Sequence, residues 1–177
     1  METHRGQSQN RAAVNSKGHI LMSQPSHIQQ LGQGFYWQDL IIGQRFKTFR
    51  RTVTEADLVG FIGVTGMVEV MFIDAAPLHG GIAGRPVPAA LTYALIEGFI
   101  LQTMIQGTGL AMLELTQKIH APVRVGDTIH AVIEVTGVRP TSTGGRAIVD
   151  SNIQVFNQRD ENVMTYTARR MLAGHNT

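Results

Sequence analysis

A chain of 177 residues with 43% hydrophobic side chains is long enough to bury one substantial core, and its length fits a single globular domain. The formal net charge is only +2 and the basic residues are scattered, so a sequence pI of about 9.3 supplies no basic patch for nucleic acid. With no cysteine, disulfides, a thiol nucleophile and a thiolate metal site are excluded, and a reducing compartment such as the cytoplasm is expected.

Residues 1–33 are rich in Gln, Ser, Asn and Gly and carry no sustained apolar run, which predicts a flexible tail ahead of one domain over 34–174. Ile20, Leu21 and Met22 are too short a run for the centre of a signal peptide, and Met22 offers an alternative start. Phe35–Asp39 reads as a lead-in and Gly43–Arg51 as a first strand. A helix start follows: Thr54 is the N-cap, Asp57 completes a capping box, and Val53 with Leu58 forms a hydrophobic staple. Leu58, Phe61 and Ile62 share one face of this helix, which ends near Gly63 or Gly66. An irregular stretch then runs to Gly84.

Residues 84–105 form a nearly uncharged helical candidate, with Pro86 and Pro88 marking its start and Gly107 and Gly109 its end. It approaches membrane-spanning length, but Glu97 at its middle and Arg85 at its mouth argue for burial in protein. Strands follow. Leu113–His120 is one, and Ala121–Asp127 bends into a second in which Ile129, Ala131, Ile133 and Val135 alternate. After a turn at Gly144 and Gly145, Ala147, Val149, Ser151, Ile153 and Val155 continue the alternation, and Val163–Leu172 closes the domain with Met164, Tyr166 and Ala168 on one face. This order predicts an α+β domain, an antiparallel sheet wrapped around a long buried helix. A short sheet of this kind leaves an edge strand and apolar surface to be covered, which favours a dimer.

The motifs Val53-Thr-Glu-Ala-Asp57, Thr65-Gly66, Gly84-Arg-Pro-Val-Pro-Ala-Ala-Leu91, His120-Ala-Pro-Val-Arg-Val-Gly-Asp-Thr128 and Val155-Phe-Asn-Gln158 occur in an order and at a spacing that resemble the MaoC-like dehydratase family. That family includes the R-specific enoyl-CoA hydratases and NodN-like proteins, and the resemblance runs from Phe35 to Ala173. It implies a hot-dog fold, a homodimer or dimer of dimers, and reversible hydration of a trans-2-enoyl thioester, usually of coenzyme A. It also implies an Asp and a His acting on water, a backbone N–H at the start of the central helix polarising the carbonyl, and no metal or redox cofactor. Helix N-termini suit that task because their free N–H groups and positive dipole end receive the enolate charge. The corresponding donor here is Ala89, where the family usually has Gly, and Pro88 has no N–H to give. Gly84 and Arg85 stand at the mouth, where Arg85 would meet a phosphate or pantetheine oxygen or simply be an exposed loop residue.

The catalytic loop departs from the family pattern. Counted without gaps from Asp57, Met67 stands where the Asp belongs and Phe72 where the His belongs, and neither moves a proton. A second register, Asp74-Ala-Ala-Pro-Leu-His79, restores an acid and a base at the right internal spacing. The plainer readings are a helix cap for Asp74 and a surface loop residue for His79. Glu69 is a third candidate, as a lone general base among apolar neighbours or as a surface carboxylate. Glu97 needs a partner inside its apolar helix and reads as structural or dimer-facing. His120 and His130 are ten residues apart and lack the spacing of a metal site. The sequence therefore points to a hydro-lyase acting on an enoyl thioester, with a hot-dog thioesterase or a noncatalytic thioester-binding subunit as alternatives.

Overall fold

The computed structural model describes residues 30–74, 76, 84–142 and 144–175, together with the backbone of 13–14 and 20–21. The chain divides into two compact units, 1–31 and 32–177. Within the first, β1 (Ala13–Val14) and β2 (Ile20–Leu21) pair antiparallel, and the rest of the predicted tail up to residue 29 lies outside the described residues.

The second unit opens with a 3-10 turn at Trp37–Asp39, then β3 (Arg45–Lys47), β4 (Arg51–Thr52), α1 (Glu55–Thr65), α2 (Val70–Ile73) and α3 (Ala89–Thr103). Four long strands complete it: β5 (Gly109–Ile119), β6 (Thr128–Pro140), β7 (Arg146–Phe156) and β8 (Asn162–Ala173). The sheet order is β3-β6-β7-β8-β5, every pairing is antiparallel, and β4 also pairs with β6. No helix among the described residues is long and apolar enough to cross a membrane.

Alternation explains the sheet. Ile129, Ala131, Ile133 and Val135, then Ala147, Val149, Ile153 and Val155, then Met164, Tyr166, Ala168 and Leu172 are all buried, one residue in two, on a face that meets Leu91, Ile96, Phe99 and Ile100 of α3. The predicted strand over 43–51 is broken into β3 and β4, and Thr48 accounts for the break. Its N–H donates to the Ala131 carbonyl at 2.9 Å, while its hydroxyl replaces a backbone carbonyl in accepting the Ala131 N–H at 2.9 Å.

The capping box forms at α1 as its sequence predicts. Thr54 Oγ1 accepts the Asp57 N–H at 3.2 Å, the Asp57 carboxylate accepts the Thr54 N–H at 2.8 Å, and Val53 and Leu58 are fully buried beside them. Gly66, in the left-handed region at φ 70°, closes the helix. The long helix begins later than its composition suggests. Val87 donates to the Val123 carbonyl at 2.9 Å and Val125 to that of Arg85 at 3.1 Å, so 85–87 is paired as extended chain, and Pro88 is extended at φ −52° and ψ 136°.

Inside α3, Glu97 finds its partners on β8. Its Oε1 accepts from Tyr166 Oη at 2.7 Å and from Arg170 Nη2 at 2.6 Å, with all three side chains buried. Burial, reinforced by the charge of Glu97, pushes the Tyr166 phenol up, which keeps it a donor.

Two consequences are measurable by urea denaturation. Glu97→Ala leaves Arg170 charged and buried without its carboxylate and should cost about 3–5 kcal/mol, whereas the double replacement Glu97→Leu with Arg170→Leu should recover much of that loss. Asp57→Ala should cost about 1 kcal/mol. Burial opposes ionisation of Asp57, but its bonds to the Thr54 backbone and hydroxyl and the charge of Arg51 outweigh burial and hold the carboxyl below its usual range. The charge-dependent part of this stabilisation is therefore complete above the unfolded value of about 3.9 and lost as pH falls through the lower folded value.

Candidate functional site

The extended run through Pro88 forces α3 to begin abruptly. The Pro88 carbonyl accepts from Leu91 and Thr92 at 2.9 and 3.3 Å, while the N–H groups of Ala89 and Ala90 have no acceptor among the described residues. Those two donors sit at the positive end of a fifteen-residue helix. A cavity of about 320 Å³ opens against this end, with Ala89 and Thr92 in its wall. Most of the remaining wall is apolar, from Val87, Val123, Val163, Met164, Met71 and Phe72. Such a space takes an apolar chain and one carbonyl group, and it strengthens any N–H dipole that reaches into it.

The segment between α1 and α3 supplies α2. Phe72, at the position of the family's His, is cavity wall, while Met67, at the position of the Asp, is 45% exposed and does not line the cavity. Glu69 is the exposed N-cap of α2, its carboxylate accepting the Val70 N–H at 3.0 Å. Asp74 is the exposed C-cap residue, and its Oδ1 accepts the Ala76 N–H at 2.8 Å. Neither carboxylate is part of the cavity wall among the described residues. His79 lies outside the described residues.

Gly84 and Arg85 have structural occupations. Gly84 takes φ 81°, and a Cβ there would come within 3.1 Å of Arg124 Cδ, so the turn into the helix segment needs glycine. Arg85 pairs with Glu55 of α1, and its Nε and Nη2 donate to the Phe72 carbonyl at 3.3 and 3.1 Å. The guanidinium thereby ties α1 to α2 and fixes Phe72 as a cavity wall.

Sequence reasoning weighed His120 only as a metal ligand, yet this residue is in the wall of the same cavity. Its backbone N–H donates to the Val163 carbonyl at 3.0 Å, and its Nε2 is 3.0 Å from Thr165 Oγ1, which also accepts from Asn162 Nδ2 at 3.0 Å. The pairing of β5 with β8, Ile119 opposite Met164, brings these groups together. No local spacing in the sequence signals this meeting.

Three comparisons bear on this geometry. Residues 40–166 match the family model described as FAS1-like, dehydratase domain region. The (R)-specific enoyl-CoA hydratase of Rhodospirillum rubrum is 26% identical over 105 residues, which span 59% of this chain and 72% of that protein. The 3-hydroxybutyryl-CoA dehydratase of Methylorubrum extorquens is 27% identical over 112 residues, spanning 59% of this chain and 66% of that protein. Among solved structures, the MaoC-like dehydratase from Rhodospirillum rubrum superposes with a TM-score of 0.71 at 24% identity, covering 81% of this chain and all of that one. The architecture is thus the hot-dog fold, as the sequence pattern predicts.

Removing the tie between α1 and α2 tests how the wall is held. Arg85→Ala should cost about 1.5–3 kcal/mol, as expected for lost charge-assisted hydrogen bonds, and should speed hydrogen exchange at the Asp74 amide, which α2 bonds to the Val70 carbonyl.

Proposed function

The chain belongs to the FAS1-like, dehydratase domain region family, and from that membership we propose that it is an acyl dehydratase that reversibly hydrates a trans-2-enoyl thioester of the coenzyme A type. The observation that carries this reading is the cavity with Ala89 in its wall, at a helix start where the N–H of Ala89 has no acceptor among the described residues. Water adding to C3 of an enoyl thioester moves the double-bond electrons onto the carbonyl oxygen. An oriented N–H at a helix N-terminus binds that enolate oxygen more strongly than it binds the neutral carbonyl, and this difference is what accelerates the reaction. The apolar walls accept the acyl chain. The names of the two curated relatives, a hydratase and a dehydratase of CoA thioesters, agree with the same chemistry in its two directions.

Proton transfer from the loop is proposed for Asp74 with His79, with Glu69 as the lone-carboxylate alternative. Gly84 and Arg85 shape the mouth. A second reading, a noncatalytic thioester-binding subunit, is favoured by Met67 and Phe72 at the positions where the family carries its acid and base. We also read the protein as a homodimer, joined along β5. That strand is the sheet edge opposite β3, all eleven of its residues are exposed, and Leu110, Met112, Leu113 and Leu115 among them are apolar. The cysteine-free composition suits a cytoplasmic setting.

The decisive variant is Ala89→Pro. Proline is tolerated at the first helical position, and Pro88 already has the extended conformation that a following proline requires. The helix should therefore persist while one donor is deleted. With a panel of trans-2-enoyl-CoA thioesters, hydration should fall by about 100- to 1000-fold in kcat while the thermal midpoint stays close to that of the wild type. Asp74→Asn and His79→Ala, assayed alongside, test the loop pair. Release of free CoA without hydration would point to a thioesterase, and thioester binding without any turnover to the noncatalytic subunit.

A further inference from the structure

We infer that His120 is a proton-transferring residue of the cavity, held for that task by Thr165 and Asn162. The inference rests on the hydratase reading. Among the described residues that line the cavity, His120 and Thr92 carry the two polar side chains, and of these the imidazole is the one with a ring nitrogen that can take a proton and return it. This assignment stands as the alternative to the loop pair Asp74 with His79: the Glu69 and Asp74 carboxylates accept the Val70 and Ala76 N–H groups and are not in the cavity wall. A group that must meet both water and the α-carbon of the substrate has to reach the space where the carbonyl is held, and His120 shares that space with Ala89.

The ring is oriented as catalytic bases are, by a hydrogen-bonded neighbour that is itself held. Thr165 Oγ1 lies 3.0 Å from His120 Nε2 and accepts from Asn162 Nδ2 at the same distance. Thr165 Oγ1 has two lone pairs. With one taken by Asn162, the other is available to accept Nε2–H of the imidazole, and in the tautomer that this assignment uses, with the proton on Nε2, Nδ1 keeps a free lone pair. The strand register and the His120 N–H to Val163 carbonyl bond fix the backbone beneath the ring.

The step balances with this one group. Nδ1 takes a proton from water as the water oxygen bonds to C3, and the C2–C3 double-bond electrons move through C2–C1 onto the carbonyl oxygen, held by the N–H of Ala89. The enolate then collapses, its C2 takes the proton back from the imidazolium, and His120 returns to its neutral form. Water has been added across the double bond with both new bonds formed from one face, and the reverse sequence dehydrates a 3-hydroxyacyl thioester.

The experiment compares wild type, His120→Gln, His120→Ala and Thr165→Val in the full chain, with crotonyl-CoA as substrate. Butanoyl-CoA, which has no double bond to hydrate, serves as the binding probe. In His120→Gln, kcat should fall by about 100-fold or more while butanoyl-CoA binding stays within about twofold of wild type, and added imidazole should restore turnover in His120→Ala. Thr165→Val, a positioning change, should lower kcat by about tenfold and leave KM in place. Wild-type turnover in His120→Gln would overturn the assignment of His120 and leave the hydratase reading standing. So would an activity loss that follows loss of butanoyl-CoA binding and that imidazole does not rescue. Failure of the wild type to hydrate crotonyl-CoA or longer enoyl-CoA thioesters would overturn the hydratase reading and the assignment of His120 with it.

Discussion

The rest of this structure depends on where α3 is prevented from starting. Residues 85–87 are committed to backbone pairing with 123–125, and Pro88 holds an extended angle. A helix that began at Gly84 would leave its free N–H groups one turn earlier, and the N–H groups of Ala89 and Ala90 would be spent on the carbonyls of Arg85 and Pro86. Because the chain is held straight until Pro88, the first free N–H groups belong to the half-buried Ala89 and Ala90, and Ala89 is in the wall of a cavity. Orphan donors at a partly buried helix end are ordinarily a cost. Here they are tolerable because the cavity admits water or a ligand oxygen, and the feature that costs stability is the one that can receive an oxyanion.

Holding that end in place is the work of a residue about two turns further along the helix. An apolar helix inside a curved sheet can slide by a turn with little change in apolar contact, because one Leu or Ile replaces another. Glu97 removes that freedom. Its carboxylate has partners in Tyr166 and Arg170 of β8, and any shift of α3 along its axis would strand a buried charge. Thus the buried pair need not add net stability to matter. It sets register, and register decides whether Ala89 faces the cavity wall formed by Val123 and Val163.

The fold was legible where a single physical signal dominates. Alternation over 129–135, 147–155 and 163–172 marks buried strand faces, and the Thr54 with Asp57 pair marks a helix start by local hydrogen bonding alone. Legibility fails where a distant partner decides. The break between β3 and β4 comes from Thr48 bonding to Ala131, the late start of α3 from pairing with 123–125, and the early start of β5 at Gly109 from its ladder with β8. His120 belongs to the same class. Every residue of β5 is exposed, so its pattern carries no face signal, and the Thr165 that orients the ring lies 45 residues onward. Met67 and Phe72, by contrast, were visible as departures from the first residue count, and the structure gives Phe72 the role of wall.

The exposure of β5 and the placement of His120 are connected. The strand ends at Ile119, and His120 follows directly, so a partner strand paired along β5 would also approach the rim of the cavity. On the proposed mechanism, an imidazole at an open rim would exchange its proton with bulk water, and the enolate it helps to form would be solvated by water as well as by Ala89. Covering the edge would exclude that bulk water, strengthen the N–H contacts to the developing charge and keep the transferred proton on the ring until C2 receives it. In the proposed dimer, assembly and proton transfer would be coupled through one strand. The apolar row that would make β5 an aggregation hazard in a monomer would, in the proposed dimer, become a wall beside the rim of the cavity.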